Sequence, residues 1–287
     1  MKQDCNLPIG VFDSGIGGLT VVRQLKRVMP REDFVYLGDT ARVPYGTKSP
    51  ETVIRFACED TQFLVQEGVK AVVVACNTAS AWAIPTLERS FDVPVFGVIL
   101  PGARAALEKS ETGRIGIIGT TSTIRSQAYV KAILARDDEV RVVARACPLL
   151  VPLVEEGWVQ HDVARTVLKE YLAPLLKQKI DALVLGCTHY PLLKPLIAEV
   201  VGKGVKLVDS AEACAEDVHE RLGALKLLAT RRRRDGVFLP FVTDEVERFN
   251  ELSQRFLGFP AERAVLVTLS PWDRRRKGQH LSDFLMR

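Results

Sequence analysis

The chain lacks any hydrophobic run approaching the roughly 18 consecutive apolar residues that a membrane span requires. Its most apolar stretches, AVVVAC (71–76) and VPVFGVIL (93–100), have the length of buried strands. The opening residues, MKQDCNLPIGVF, lack the apolar centre of a secretory signal, so a cytoplasmic location is expected. Cys-x-x-Cys pairs are missing as well, although cysteines stand at 5, 58, 76, 147, 187 and 214. In a reducing compartment this argues against a disulfide framework and leaves each cysteine as either packing or a reactive group. A strong charge of one sign is absent too: a net +4 does not by itself imply a nucleic-acid partner. Much of the excess lies in two runs, Arg231 to Arg234 and Arg274 to Lys277. Such runs are more often solvated faces, and nucleic-acid binding through them is kept as a rival reading.

Cofactor signatures are missing in the same way. The loop Asp13-Ser14-Gly15-Ile16-Gly17-Gly18 does not complete a Gly-x-Gly-x-x-Gly fingerprint, because Thr20 stands where the third glycine would be. No lysine lies in the marked loops to anchor pyridoxal phosphate. Cys187-Thr188-His189 offers two metal ligands, which is too few. Neither a cofactor nor a metal is expected.

What is present is a soluble, globular composition, with 47% hydrophobic and 26% charged residues. Short β-branched runs alternate with amphipathic stretches. Strands are expected at 9–12, 34–37, 71–75, 115–118 and 182–185, with helices over 19–28 and 50–67. This alternation predicts an α/β fold with parallel sheets, whose ligands bind where loops leave the carboxyl ends of the strands. AVVVACNTAS and ALVLGCTHYP share one plan, and IGVFDSGIGG and IGIIGTTSTI share another. Two pseudo-symmetric α/β lobes are therefore expected, with mostly parallel sheets flanked by helices and a site in the cleft between them. The expected divisions are 1–98 for the first lobe, 99–207 for the second, and 208–287 for a return to the first lobe followed by a basic tail. The return is expected to begin with a strand at 207–210.

Cys76 and Cys187 occupy matching strand ends, each followed by polar residues able to cap a helix. Inverting a weakly acidic carbon needs a base on one face and an acid on the other. A thiol near pKa ~8.5, moved toward neutrality by a helix N-terminus, suits both roles. Single strand-end cysteines are usually core; two in matched positions favour a site. The Asp13–Gly18 loop can present N–H groups to a phosphate or carboxylate, with Asp13 handling protons or an ammonium group. His189 is placed to tune or relay protons for Cys187. Glu155 and Glu156 follow the apolar stretch 148–154 and form either a sheltered carboxylate or a solvated face. Cys5, Cys58, Cys147 and Cys214 lack such contexts and are assigned to packing or the surface.

The strings FDSGIGGLTV, YLGDTARVPYGTKS, VVACNTASAWAIP, GVILPGARAA, IGIIGTTSTI, CPLLVPLVEEG, LGCTHYPLL and LVDSAE, in that order, resemble the glutamate racemases of the cofactor-independent aspartate/glutamate racemase superfamily. Nothing after about residue 269 carries the resemblance. It implies conversion of L-glutamate to D-glutamate for peptidoglycan, without cofactor. It further implies that Cys76 acts on the D-enantiomer and Cys187 on the L-enantiomer. Asp13 and His189 would assist their respective cysteines, with Glu155, or the adjacent Glu156, near Cys187. Substrate contacts would come from Asp13, Ser14, Tyr45, Gly46, Asn77, Thr78, Thr120, Thr123, Thr188 and His189. The implied partner is a small molecule, glutamate, with no membrane; a homodimer stays open. The nearest rival is a racemase for aspartate or another amino acid on the same scaffold.

Overall fold

The computed structural model describes residues 4–230 and 235–272. The two basic runs and the tail named above therefore lie outside the described residues. The first βα units are β1 (Ile9–Asp13), α1 (Leu19–Val28), β2 (Phe34–Gly38), α2 (Pro50–Gln66), β3 (Ala71–Val74), α3 (Asn77–Ser90) and β4 (Val95–Gly97). A crossover helix α4 (Ile99–Lys109) leads to β5 (Arg114–Gly119), α5 (Thr121–Ser126), α6 (Ala128–Leu134) and β6 (Arg141–Ala146). There follow α7 (Leu150–Glu155), α8 (Asp162–Leu176), β7 (Ala182–Gly186), α9 (Lys194–Val201), β8 (Lys206–Asp209) and α10 (Ser210–Ala224). The described chain closes with β9 (Phe238–Val242), α11 (Val246–Leu257) and β10 (Val265–Leu266).

Two sheets result, ordered β10-β9-β2-β1-β3-β4 and β6-β5-β7-β8, and every strand pair in both is parallel. The β2-β1-β3-β4 and β6-β5-β7-β8 portions have one topology, so β1 corresponds to β5 and β3 to β7. In each sheet the chain moves outward on one side of the first strand and then crosses to the other. That reversal opens a crevice at the carboxyl ends of β1 and β3, and again at those of β5 and β7. The strand at 206–209 pairs with β7 and so completes the second sheet; the chain rejoins the first sheet only at β9. Residues 207–210 are thus the wrong place for the return expected from sequence. A four-residue strand looks the same at the edge of either sheet, and tertiary pairing decides between them.

Strand alternation divides the core. Ile9, Val11, Tyr36 and Val73 point into a cluster that also contains Ile115, Ile117 and Val184 of the second sheet. Leu19 and Val22 of α1, Ala103 and Ala106 of α4, and Ala211 and Ala215 of α10 join the two halves of that cluster. The opposite face of the first sheet, with Phe12, Leu37, Val72 and Val74, packs against Val53, Ala57 and Cys58 of α2. The two sheets are therefore held by shared apolar packing, and their crevices face each other across a fixed seam. Among the described residues no helix is long and apolar enough to cross a membrane.

Candidate active site

The two crevices meet in one cavity of about 370 Å³, lined by Cys76 from the first sheet and Cys187 from the second. Ser14, Tyr45, Gly46, Asn77, Thr78, Thr120, Glu155, Thr188 and His189 also line it. Asp13 and Thr123 stand one layer behind. Asp13 is fully buried at the end of β1, where Oδ2 accepts the Gly15 N–H at 3.1 Å and Oδ1 accepts the Thr188 hydroxyl at 3.4 Å. Thr123 reaches the cavity through a ring of three hydroxyls, with Thr78–Thr120 at 2.9 Å, Thr78–Thr123 at 3.0 Å and Thr120–Thr123 at 2.9 Å. That ring joins the start of α3 to the start of α5, and Trp82 Nε1 donates to Ser122 Oγ nearby at 3.1 Å.

Cys76 is the N-cap of α3, its sulfur accepting the Ala79 N–H at 3.5 Å. Its thiol also faces Ser14 Oγ at 3.7 Å. The helix terminus does not bring this thiol toward neutrality as the sequence suggested. Burial, followed by the nearby Asp13, pushes it up to about 12, and the Ala79 and Ser14 contacts only partly oppose this.

Cys187 differs from the expectation in another way. No α-helix begins at it: Thr188 and His189 lead into a 3₁₀ turn at Tyr190–Leu193, and α9 starts only at Lys194. The group beside this sulfur is instead His189, with Nδ1 4.0 Å away. His189 Nε2 lies 2.9 Å from Glu155 Oε1, so carboxylate, imidazole and thiol form a line. Burial alone would lower the imidazole pKa. The bonds to Cys187 and Glu155 outweigh it and raise the value to about 10. The bond to His189 in turn lowers the Glu155 pKa against its own partial burial. Of the two adjacent acids, Glu155 lines the cavity and Glu156 does not, while Arg248 lies within ion-pair distance of both.

Several contributors had no clear mark in the sequence. Tyr129, inside the apolar pattern of α6, donates to Asn77 Oδ1 at 2.7 Å and so orients that amide. Thr20, noted only for breaking a nucleotide fingerprint, donates to the carbonyl of Thr188 at 2.8 Å. Phe256 of α11 meets the His189 ring edge-on at 5.4 Å. Pro148, Val151 and Pro152 form an apolar wall of the cavity. Tyr45, read as a substrate contact, lines the cavity but buries its hydroxyl against Asp39 and Asp60. Cys58, Cys147 and Cys214 are buried and do not line the cavity, as their contexts suggested. Among the described residues no group of three or more His, Cys, Asp or Glu side chains is arranged to hold a metal ion.

A pair of parallel α/β units that close a thiol from each around one hydroxyl-rich cavity suits a two-faced proton transfer. Residues 9–218 match the model of the Asp/Glu/Hydantoin racemase family, which sets the chain among racemases. A glutamate racemase from Geobacter metallireducens is 53% identical over 250 residues, covering 87% of this chain and 92% of that protein. The crystal structure of a glutamate racemase isoform from Bacillus anthracis superposes with a TM-score of 0.88 at 40% identity, covering 93% of this chain and 98% of that one. A Francisella tularensis glutamate racemase solved with D-glutamate superposes at 0.85 with 39% identity, covering 92% and 98%. The chain belongs to the glutamate racemase family and is an isomerase.

Proposed function

We propose that this chain interconverts L- and D-glutamate without a cofactor, by two-base proton transfer between Cys187 and Cys76, and so supplies D-glutamate for peptidoglycan. In the L-to-D direction Cys187, as thiolate, takes the α-proton from one face. Cys76, as thiol, delivers its own proton to the opposite face of the planar carbanion. The result is D-glutamate, a protonated Cys187 and a Cys76 thiolate; the reverse direction exchanges the roles. The unequal surroundings of the two sulfurs support this assignment. Burial and Asp13 favour the protonated thiol at Cys76, while a protonated His189 supplies the counter-charge for a thiolate at Cys187.

The single observation that carries the carboxylate-bearing substrate is Asn77 Nδ2. It is a buried donor with no hydrogen-bond partner, on a side chain that lines the cavity between the cysteines. Leaving such a donor unsatisfied costs about 1–3 kcal/mol, and a substrate carboxylate would remove that cost. Ser14, Thr78, Thr120, Thr188 and the Tyr45–Gly46 backbone are the remaining proposed contacts, with Asp13 acting from behind them through the Thr188 hydroxyl that it accepts. Glutamate is favoured over aspartate because the relatives described above are glutamate racemases.

The test is a racemisation assay on purified protein with a chelator present and no pyridoxal phosphate. L-glutamate should lose optical rotation, and aspartate should turn over far more slowly. Faster turnover of aspartate would overturn the substrate assignment.

A further inference from the structure

We propose that Asp60 is a positioning residue of this site, a neutral acid that holds the Tyr45–Gly46 wall of the cavity in place from behind. The proposal rests on the glutamate racemase reading for its kinetic test, though its geometric basis is separate.

Asp60 on α2 and Asp39 after β2 are both fully buried, and they meet at the phenol oxygen of Tyr45. That oxygen lies 2.5 Å from Asp39 Oδ2 and 2.9 Å from Asp60 Oδ2. A phenol has one proton and can donate to one of them. Asp39 makes the shorter contact, and its oxygens also receive Arg42 Nε at 2.7 Å and the Thr243 hydroxyl at 3.0 Å. With the phenol proton directed there, the second contact is a hydrogen bond when Asp60 carries a proton and donates to the phenol oxygen. Its other oxygen receives Arg42 Nη2 at 3.0 Å.

The local charges point the same way. The Arg42 guanidinium bonds Asp39, Asp60 and Glu59 while lying 4.1 Å over the Phe56 ring. One cation thus faces three carboxyl groups, and a proton on one of them lessens the repulsion. Burial, and then the neighbouring Asp39, raise the Asp60 carboxyl well above the usual carboxylate range. Neither Asp39, Arg42 nor Asp60 lines the cavity; Tyr45 and Gly46 do. Gly46 is pressed against the second half of the molecule, since a Cβ there would stand 2.8 Å from Thr120 Cβ. A shift of Tyr45 would therefore move the wall at the point where it touches the three-hydroxyl ring.

The experiment compares Asp60→Asn with Asp60→Ala. An asparagine amide donates to the phenol oxygen and accepts from Arg42, so it reproduces the protonated acid. Asp60→Asn should keep the KM for glutamate within about twofold, whereas Asp60→Ala should raise it on the order of tenfold with kcat little changed. In the unsubstituted enzyme KM should climb at alkaline pH, as Asp60 loses its proton among Asp39, Glu59, Tyr45 and the single cation Arg42. Asp60→Asn should abolish that climb. Amide hydrogen exchange over residues 43–47 should rise in the alanine variant and not in the asparagine variant, whatever substrate the enzyme takes.

Equal losses in both variants, or no change in KM and exchange with alanine, would overturn the proposal. If the alanine variant fails to fold, persistence of the alkaline KM climb in Asp60→Asn overturns it alone. Failure of the unsubstituted protein to racemise glutamate would remove the functional reading, while the exchange comparison still decides the role of Asp60.

Discussion

Around His189, two hydrogen bonds compete with burial, and the bonds win. The imidazole pKa of about 10 keeps a proton on the ring at neutral pH, next to the sulfur proposed to act on L-glutamate. Since the folded-state value is raised from 6.5, the stability it contributes is complete below about 6.5 and is lost as pH rises through about 10. L-to-D turnover should fall on the same alkaline limb. Glu155→Gln removes the negative charge that helps to raise the imidazole, so the limb should move to lower pH. That substitution should also lower kcat on the order of a hundredfold; a pH–rate profile checks both effects. Asn77→Ala removes the unpartnered donor, and should raise KM on the order of tenfold in steady-state kinetics. At this scale the sequence was legible where a residue stood at a strand end, as Cys76, Asn77 and His189 do. It was silent on Tyr129, whose spacing in α6 reads only as packing. Adjacent Glu155 and Glu156 could be separated only once the end of α7 fixed which of them turns inward.

At the scale of elements, the approach of the Gly-rich loop before α1 to the Cys187–His189 turn is close enough to be tested by one carbon atom. A Cβ on Gly17 would stand 2.3 Å from Thr188 Oγ1 and 2.4 Å from His189 Nδ1. Gly17→Ala should push that turn away and lower kcat on the order of a hundredfold, because small misplacements of reacting groups are costly. Circular dichroism should remain that of the unsubstituted chain. If kcat were unchanged, the turn would not be positioned by the loop between β1 and α1. Helix α1 was readable to its ends, and the β1 and β3 strands to within a residue, because periodicity and Gly-rich punctuation agree there. The region after β7 was read less well. Thr188 resembles a capping residue, yet the chain winds into a 3₁₀ turn, so the Cys187 neighbourhood depends on His189 rather than on a helix terminus.

Over the whole molecule, the buried Lys70–Glu32 pair at 2.5 Å ties the N-terminal segment, the entry to β3 and the chain at Ala229 together. Glu32→Ala should lower unfolding free energy by about 3–5 kcal/mol in chemical denaturation, without altering kinetics at 25 °C in the folded fraction. The internal repeat was visible in paired strings, since one strand–loop plan is used twice. The seam between the halves was not visible, because it is built by apolar faces of α1, α4 and α10 that could have packed within a single lobe. That seam brings one thiol from each sheet to one cavity, and two-face transfer depends on it. The most direct test follows L-glutamate in deuterated water at early times. The account predicts D-glutamate carrying deuterium at its α-carbon while recovered L-glutamate stays protiated, and Cys76→Ala or Cys187→Ala should leave no deuterated D-glutamate. D-glutamate that retained the substrate's own proton, or racemisation surviving either alanine substitution, would contradict it.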